Sequence, residues 1–529
     1  MGAVVGLSRI DRSEAFPRVE LPRAYNMAVD LLYRHVQEGR GDRVAIIDDE
    51  GRHTYEQVAQ RAQRAAGAFR DLGVEPEQRV ALCMLDTVDL VAAFLGAITW
   101  GAVPVLLNTL LTTQDYAYML RDSRARVVVA SDAVMGRIQP AIPPGVEVAV
   151  VPSVLGGYKG SRVAWRSLLE ATRRLPLSAP TTPDDVAFWL YSSGSTGLPK
   201  GAMHLHGSAI HTAALYGQQI LGIGADDVVF SAAKLFFAYG LGNSLTFPFS
   251  VGAAAVLMAE RPTPAAIVRR LREHAPTIFC GVPTLFAQLL ADPALGRESP
   301  RLRVSTSAGE ALPRHVGERW RERTGTEILD GIGSTEMLHI FLSNRPGEIR
   351  YGTTGRPVPG YELELRSDAG GLAADGEEGS LWVSGPTSCS GYWCDRARSL
   401  ATFHGPWTRT GDRYVRDADG FWTYCGRADD MLKVGGIWVS PFEVESALAA
   451  HAAVLEAAVV GAEDADGLVK PKAFVVLQEG HAASGELIEE LKAFVKERLA
   501  PYKYPRWIEL VGELPKTATG KIQRYKLRG

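Results

Sequence analysis

The segment from Tyr191 to Gly201, YSSGSTGLPKG, combines residue types that bind phosphate groups. It directly follows the apolar run VAFWL, which predicts a loop at the end of a buried strand. Backbone N–H groups and hydroxyls in such a loop can converge on an anion, and Lys200 adds a positive charge. Lys200 is followed by Gly201 rather than by Ser or Thr, so the segment differs from the loop of P-loop NTPases. We therefore expect a phosphate-binding loop of a different class.

Four further segments occur in an order that makes nearly the whole chain resemble one superfamily. They are DGIGSTE (330–336), WTRTGD (407–412), GRADDMLKVGG (426–436) and PKTATGKI (515–522). They resemble, in turn, the second nucleotide motif, the ribose-binding motif, the hinge and the C-terminal lysine motif of the adenylate-forming superfamily. The segment YSSGSTGLPKG resembles its phosphate loop. That superfamily comprises acyl-CoA synthetases, nonribosomal peptide adenylation domains and luciferases. The resemblance implies that the protein uses ATP to convert a carboxylic acid into an acyl adenylate.

The resemblance also implies which residues contact the nucleotide. Glu336, next to Thr335, is expected to ligate Mg²⁺ that bridges phosphate oxygens, because carboxylate and hydroxyl oxygens suit that ion. Asp412 can accept hydrogen bonds from both ribose hydroxyls, with Arg427 as a cationic second contact. Taken alone, such a Glu is usually solvated and a TGD segment is usually a turn. The expected ATP and AMP contacts are Ser192, Ser193, Gly194, Ser195, Thr196, Gly197, Lys200, Gly309, Glu310, Ala311, Asp330, Gly331, Ile332, Gly333, Ser334, Thr335, Asp412 and Arg427.

Lys521, in PKTATGKI, is the expected catalytic lysine. Acyl adenylation brings a carboxylate against an α-phosphate that is also anionic. A cation that touches both groups would stabilise the transition state and align the reactants. An isolated lysine is usually a solvated surface residue, and the place of Lys521 in the motif is what favours catalysis. Thr335 and Glu336 complete the expected catalytic set, and Lys521 is also expected to contact the acid.

The second half-reaction of the superfamily, attack of a thiol on the adenylate, is expected to follow rotation of the C-terminal domain. Asp429 matches the hinge residue, and the rotation would replace Lys521 with the face that carries Gly435 and Gly436. Glycines there would leave room for a narrow pantetheine arm, and Lys433 is assigned to the same tunnel. No carrier-protein segment follows the lysine motif, so free coenzyme A is the expected acceptor.

Two segments are expected to line the acid pocket, AKLFFAYGLGN (233–243) and MLHIF (337–341). Aromatic and aliphatic walls favour a flat apolar acyl group. Both segments closely resemble benzoate-CoA ligases, which implies benzoate as the acid. Substituted benzoates such as 2-aminobenzoate and 4-hydroxybenzoate stay open, and FFAYG or a core histidine could also be plain packing. The expected wall residues are Ala238, Tyr239, Gly240, His339 and Ile340.

Three competing functions remain beside an AMP-forming aryl-CoA ligase. The first is an adenylation enzyme that delivers to a separate carrier protein. The second is a P-loop-type phosphohydrolase, which the residue after Lys200 argues against. The third is a catalytically silent binding protein, although Thr335, Glu336, Asp412 and the other expected catalytic residues are all present. A metal cluster of His204, His206 and His211 is possible on spacing alone, but no Asp, Glu or Cys stands beside them.

The elements that position these residues alternate between helix and strand, which predicts an α/β fold of sheets covered by helices. RVAIID (43–48), RVALCML (79–85) and TIFCGVP (277–283) are typical of buried strands, and such strands place ligands at their carboxyl ends. Beyond about residue 430 the pattern changes to a small α+β unit. We expect a large multi-layer N-terminal α/β domain over residues 1–429 and a small mobile C-terminal α+β domain over residues 430–529.

Composition narrows the class of protein further. The 529 residues include 57 Lys and Arg against 60 Asp and Glu, a net charge of −3, which argues against nucleic acid as the main partner. The five scattered cysteines predict neither a disulfide framework nor a zinc site. The N-terminus lacks a signal peptide pattern, so we expect a cytoplasmic protein, with a homodimer as one possible assembly. The apolar stretches 90–111 and 235–259 are long enough to test as membrane spans, but internal Gly, Pro and Asn favour buried elements.

Overall fold

The computed structural model describes most of the chain. The described residues are 5–153, 155, 160, 162–173, 175–192, 198–292, 295–296, 299–428, 430–434, 437–464, 468–500, 503–516 and 522–528. They form a large mixed α/β region followed by a smaller α+β region, which confirms the expected fold class. Of the expected site residues, Ser193, Gly194, Ser195, Thr196, Gly197, Asp429, Gly435, Gly436 and Lys521 lie outside the described residues.

The first large sheet has seven strands, and its interior strands are parallel. It follows a short N-terminal hairpin of β1 (Arg9–Asp11) and β2 (Arg18–Glu20). The spatial order is β11-β10-β6-β5-β7-β8-β9, and only β11 runs antiparallel to its neighbour. The strands are β5 (Arg79–Cys83), β6 (Val103–Leu106), β7 (Val127–Ser131), β8 (Glu147–Val151), β9 (Val163–Ala164), β10 (Val186–Ser192) and β11 (Lys200–Leu205).

The second large sheet has nine strands and a parallel centre. Its order is β18-β17-β16-β15-β14-β12-β13-β3-β4, with antiparallel pairs at both ends. The strands are β3 (Val44–Asp48), β4 (Gly51–Thr54), β12 (Val228–Ser231), β13 (Ala254–Val256), β14 (Ile278–Gly281), β15 (Val304–Ser307), β16 (Glu327–Gly333), β17 (Ile340–Ser343) and β18 (Arg356–Pro357).

An antiparallel sheet of five strands precedes the C-terminal region. It comprises β19 (Glu362–Arg366), β20 (Glu378–Ser384), β21 (Phe403–His404), β22 (Trp407–Arg416) and β23 (Trp422–Arg427). The C-terminal region contains a hairpin and a three-stranded sheet with apolar clusters of their own. Its strands are β24 (Leu432–Val434), β25 (Ile437–Val439), β26 (Val454–Glu463), β27 (Val469–Leu477) and β28 (Trp507–Leu510).

Helices cover the sheets. They are α1 (Arg34–Gln37), α2 (Tyr55–Asp71), α3 (Val88–Trp100), α4 (Thr113–Ser123), α5 (Met135–Ile138), α6 (Trp165–Ala171), α7 (Ser208–Thr212), α8 (Ala238–Leu241), α9 (Phe247–Val251), α10 (Pro264–His274), α11 (Pro283–Ala291), α12 (Arg314–Thr324), α13 (Arg396–Thr402), α14 (Pro441–Ala449) and α15 (Gly485–Arg498). Short π-helical turns span Val29–Tyr33, Ala213–Gln218 and Gly242–Thr246, and 3₁₀ turns span Asp132–Val134, Gln139–Ala141 and Arg524–Lys526.

The apolar stretch 90–111 is a buried helix that leads into a buried strand. All residues of α3 from Val88 to Thr99 are buried, and β6 follows after Gly101. Gly101 ends the helix with φ +83°, a left-handed conformation that favours glycine. Within the described part of the chain, no helix is both long enough and apolar enough to cross a bilayer.

Candidate functional site

Ser192 and Lys200 lie opposite each other on the two strands that flank the phosphate loop. Ser192 is the last residue of β10, and it pairs with Lys200, the first residue of antiparallel β11. The segment between them therefore connects two adjacent strand ends at the edge of the seven-stranded sheet. This register brings one hydroxyl and one ammonium group to the base of the predicted loop.

Glu336 is held at the same place by three polar side chains. Its Oε1 accepts hydrogen bonds from the Tyr392 hydroxyl at 2.7 Å and from the Ser192 hydroxyl at 3.1 Å. The Lys200 ammonium lies 3.9 Å from the same oxygen and donates to the Tyr392 hydroxyl at 3.1 Å. Burial alone would raise the pKa of Glu336, but the Tyr392 bond and the Lys200 charge outweigh it and lower the pKa. The carboxylate is therefore ionised at neutral pH, and 14% of its side chain stays accessible.

The turn after β16 brings Glu336 next to that loop. The Ser334 hydroxyl accepts a hydrogen bond from the Met337 N–H at 3.2 Å, and the Thr335 carbonyl accepts one from the Leu338 N–H at 3.1 Å. Gly333 pairs with Ile340 on β17, and a Cβ on Gly333 would overlap the peptide bond between His339 and Ile340. Only glycine fits at this crossing.

Asp412 and Arg427 face each other on β22 and β23, as expected for a shared ribose site. Arg427 Nη1 donates to Asp412 Oδ1 and to the Thr410 carbonyl, both at 3.0 Å. Gly411 has φ +78°, and a Cβ there would lie 2.8 Å from Arg427 Nη2. The TGD segment is thus part of a long irregular strand rather than a simple turn.

The residues expected to pack against adenine lie next to Asp330 of the second nucleotide motif. Gly309, Glu310 and Ala311 follow β15, whose last residue pairs with Asp330 on β16. The Asp330 carboxyl is buried, and burial raises its pKa well above the usual value. Its Oδ1 has no hydrogen-bond partner among the described residues. Glu310 Oε2 accepts a hydrogen bond from the Thr284 hydroxyl at 2.9 Å, so this side chain is also fixed from a neighbouring element.

The two predicted wall segments of the acid pocket meet around His339. The His339 ring lies 5.4 Å from the Tyr239 ring and 4.5 Å from the Phe247 ring, and its Nε2 lies 3.3 Å from the Tyr239 carbonyl. Burial lowers the pKa of His339 to about 3, so the ring is neutral at physiological pH. The Tyr239 hydroxyl donates to the Thr306 carbonyl at 2.9 Å. Ala238 and Ile340 are buried beside them.

Comparison with known proteins identifies the family to which the chain belongs. A family described as AMP-binding enzyme matches residues 33–393, and its C-terminal domain matches residues 443–521. The chain belongs to the AMP-binding enzyme family. It is 56% identical over 527 residues to the benzoate–CoA ligase of Thauera aromatica, covering 99% of each chain. It is 51% identical over 509 residues to a 4-hydroxybenzoate–CoA/benzoate–CoA ligase of Rhodopseudomonas palustris, covering 96% of this chain and 94% of that one.

Solved structures of AMP-binding enzymes share the fold. A benzoate CoA ligase from Burkholderia xenovorans LB400 superposes with a TM-score of 0.89 at 55% identity, covering 96% of this chain and 100% of that one. The anthranilate CoA ligase AuaEII in complex with anthranoyl-AMP superposes with a TM-score of 0.91 at 41% identity, covering 96% of this chain and 97% of that one.

For three other predicted site residues of this AMP-binding enzyme, the structure shows backbone pairing only. Gly331 and Ile332 pair with Ser343 and Leu342 within the sheet. Lys433 pairs through its backbone with Trp438 in the hairpin of β24 and β25. Among the described residues, His204, His206 and His211 are not part of any group that could hold a metal ion.

Sequence reasoning did not identify Tyr392, Asp86 or Lys234, three residues that contact the predicted site segments or belong to them. Tyr392 lies 56 residues from Glu336, the carboxylate that it contacts. Asp86 lies 149 residues from Leu235, whose N–H it accepts. Motif spacing reports only neighbours along the chain, so it gives no signal for such contacts. The only available hint for Lys234 was its position inside the predicted acid-pocket segment.

Proposed function

We propose that this AMP-binding enzyme is an ATP-dependent benzoate–CoA ligase. Benzoate and ATP give benzoyl-AMP and pyrophosphate, and benzoyl-AMP and coenzyme A then give benzoyl-CoA and AMP. The observation that carries the proposal is the 56% identity to a benzoate–CoA ligase over 99% of the chain. The aromatic surroundings of His339, beside the segment that carries Glu336, support the same substrate class.

In the first step a benzoate oxygen attacks the α-phosphorus of ATP, and the bond to the β-phosphoryl oxygen breaks. Benzoate is flat and apolar apart from its carboxylate, so a neutral wall of the buried His339 and the partly buried Tyr239 suits the ring. Lys521 is the proposed cation between the carboxylate and the α-phosphate. Asp412 and Arg427 suit the ribose, since they offer an acceptor and a fixed cation.

The residues around Glu336 fit a magnesium ion. The carboxylate is ionised and partly accessible, and hard oxygen ligands are what Mg²⁺ prefers. When bound, the ion would neutralise charge on the phosphate oxygens. The contacts from Tyr392 and Ser192 hold the Glu336 carboxylate in one orientation, which lowers the cost of ordering it when the nucleotide binds.

In the second step the thiol of coenzyme A attacks the acyl carbonyl, and AMP leaves with the electrons of the acyl–phosphate bond. We propose that a domain of residues 430–529 rotates against residues 1–429 about Asp429 between the steps. Lys433, Gly435 and Gly436 would then border the pantetheine arm. A homodimer and a cytoplasmic location stay predictions. The first is tested by sedimentation analysis, and the second by cell fractionation.

The test of function is AMP release from ATP with coenzyme A and a panel of acids. The panel contains benzoate, 2-aminobenzoate, 4-hydroxybenzoate, phenylacetate, cinnamate and a medium-chain fatty acid. We expect the highest kcat/KM with benzoate. A higher value with another acid would keep the reaction and reject the substrate. The substituted-benzoate ligase and the carrier-dependent enzyme are not favoured, because the relative at 56% identity is a benzoate–CoA ligase and the one at 51% is a 4-hydroxybenzoate–CoA/benzoate–CoA ligase.

A further inference from the structure

The acid-pocket segment is anchored at its start by a residue from the other large sheet. The Leu235 N–H donates to Asp86 Oδ2 at 3.1 Å in a buried hydrogen bond. Leu235 follows β12 of the nine-stranded sheet. Asp86 lies between β5 and α3, at the carboxyl end of a strand in the seven-stranded sheet. This bond therefore links the carboxyl-terminal edges of both sheets at the pocket.

The neighbouring Lys234 anchors the same segment to a third strand. Its ammonium donates to the Glu260 carbonyl at 2.7 Å and also to the Met258 carbonyl. Both carbonyls follow β13, the neighbour of β12. Two consecutive residues, Lys234 and Leu235, thus fix the entrance to the segment from two directions.

The anchored residues Lys234 and Leu235 lie close in sequence to the wall residues Tyr239 and Gly240. A Cβ on Gly240 would overlap the Lys234 carbonyl, so the segment folds back until Gly240 touches the backbone of the anchored lysine. The Phe237 N–H also donates to that carbonyl, at 3.0 Å. Tyr239 sits between these contacts, with its hydroxyl bound to the Thr306 carbonyl. A shift of the Lys234 backbone would therefore press on Gly240, the neighbour of Tyr239.

The Asp86 carboxylate is buried at a high desolvation cost, although its one described hydrogen bond is with the Leu235 N–H. The residue is 4% exposed, and its Oδ1 has no hydrogen-bond partner in the described part of the chain. Burial raises the pKa of Asp86 to about 6, against the charge of Lys234 and the Leu235 bond. Buried charges contribute little net stability, and a neutral acceptor could bind the same N–H at lower cost. A positional role accounts for the carboxylate better than stability does.

We propose that Asp86 and Lys234 are positioning residues that set the acid pocket of this enzyme. They fix Tyr239 and Gly240 relative to the bound acid, and so control affinity and selectivity for the acid rather than for ATP. This inference rests on the proposed benzoate–CoA ligase activity.

The test compares Asp86→Ala, which removes the acceptor of the Leu235 N–H, and Lys234→Gln with the wild type in benzoate-dependent pyrophosphate release. We expect KM for benzoate to rise about 10-fold, while KM for ATP changes less than 2-fold. The preference for benzoate over 2-aminobenzoate should fall at least 3-fold, because the wall is no longer fixed. The double variant should lose less than the product of the single effects, since both residues hold one segment.

Asp48→Ala is the matched control. Asp48 is also a buried carboxylate at a strand end, and its Oδ2 accepts the Val88 N–H at 2.9 Å across the same two sheets. It does not contact the acid-pocket segment through any described hydrogen bond. We expect its KM for benzoate and its selectivity to stay within 2-fold of the wild type.

Each outcome decides between the proposals. Equal rises in KM for benzoate and ATP, or the same change in Asp48→Ala, would mean general loosening and overturn the positioning role. Unchanged variants would overturn it as well. If Asp86→Ala does not fold, Lys234→Gln decides alone, with Lys234→Arg expected to restore part of the affinity. A wild type that forms no pyrophosphate with benzoate would instead reject the proposed function.

Discussion

Removing the Tyr392 hydroxyl is the most direct test of how Glu336 is oriented. That hydroxyl donates to Glu336 Oε1 at 2.7 Å and accepts a hydrogen bond from Lys200 at 3.1 Å. Tyr392→Phe deletes both bonds. It keeps the aromatic ring, whose centre lies 4.3 Å from the Lys200 ammonium, so the contact between cation and ring survives. The variant therefore measures the contribution of the Tyr392 hydroxyl separately from that of the ring.

The size of the effect follows from the charge on Glu336. A hydrogen bond to an ionised group contributes about 1.5 to 3 kcal/mol, and the low pKa of Glu336 shows that the bond favours the ionised form. The Ser192 bond at 3.1 Å and the Lys200 charge remain, so the carboxylate is loosened but not lost. We expect kcat/KM for MgATP in the adenylation step to fall about 10- to 100-fold, at 1.4 kcal/mol per factor of ten.

Benzoate-dependent pyrophosphate release at varied MgATP measures this change. Tyr191→Phe is the control, because the Tyr191 hydroxyl also donates to a carboxylate, Asp122, at 2.6 Å. That pair is adjacent to Ser192 but does not include Glu336, so we expect less than a 3-fold effect. KM for benzoate should stay unchanged in both variants. If Tyr392→Phe fell within 3-fold of the wild type, or no further than Tyr191→Phe, the hydroxyl would not orient the site.

Three other substitutions probe the reaction and the stability. Lys521→Ala should abolish adenylate formation but leave attack of coenzyme A on added benzoyl-AMP largely intact, and equal loss in both assays would contradict the use of two faces. Asp429→Pro should spare adenylation and block thioester formation, because proline fixes the φ torsion of the proposed pivot; equal effects on the two steps would remove Asp429 from that role. Burial lowers the pKa of His206 to about 4, below its usual 6.5, so the unfolded chain takes up the proton first and stability is lost as pH falls from 6.5 towards 4. His206→Asn should lose about 2 kcal/mol less between pH 7 and 4.5 in denaturant titrations, and an identical pH dependence would refute this.

Much of the fold follows from local patterns. The run VAAFLGAITW is apolar on every side, which is typical of a helix inside a layered protein, and it forms most of α3. Gly101 then marks the helix end because its φ of +83° is costly for other residues. The order of strands across each sheet could not be predicted in this way. It depends on which helices cross which face, and single-strand patterns carry no such information.

In the candidate site too, residues within one motif or on neighbouring strands could be predicted, and contacts between distant segments could not. Ser192 and Lys200 were expected from one segment, and their pairing across β10 and β11 follows from a hairpin around the phosphate loop. Asp412 and Arg427 were expected together, and the strands that carry them are adjacent in sequence and in the sheet. Tyr392 could not be found, because its contact with Glu336 needs the chain to return from a different sheet region. Tertiary contacts of this kind depend on the whole fold.

One short segment carries residues expected to contact both the nucleotide and the acid. Asp330 stands on β16 beside the expected adenine segment, Glu336 lies in the turn, and His339 lies at the start of the return strand. A single β-hairpin therefore carries groups expected to meet the nucleotide, its magnesium ion and the aromatic ring of the acid. Gly333 lets the two arms of the hairpin cross without a side chain between them. Because the three groups lie on one hairpin, the pairing of its strands constrains their separations, and such pre-organisation would favour an in-line attack on the α-phosphorus.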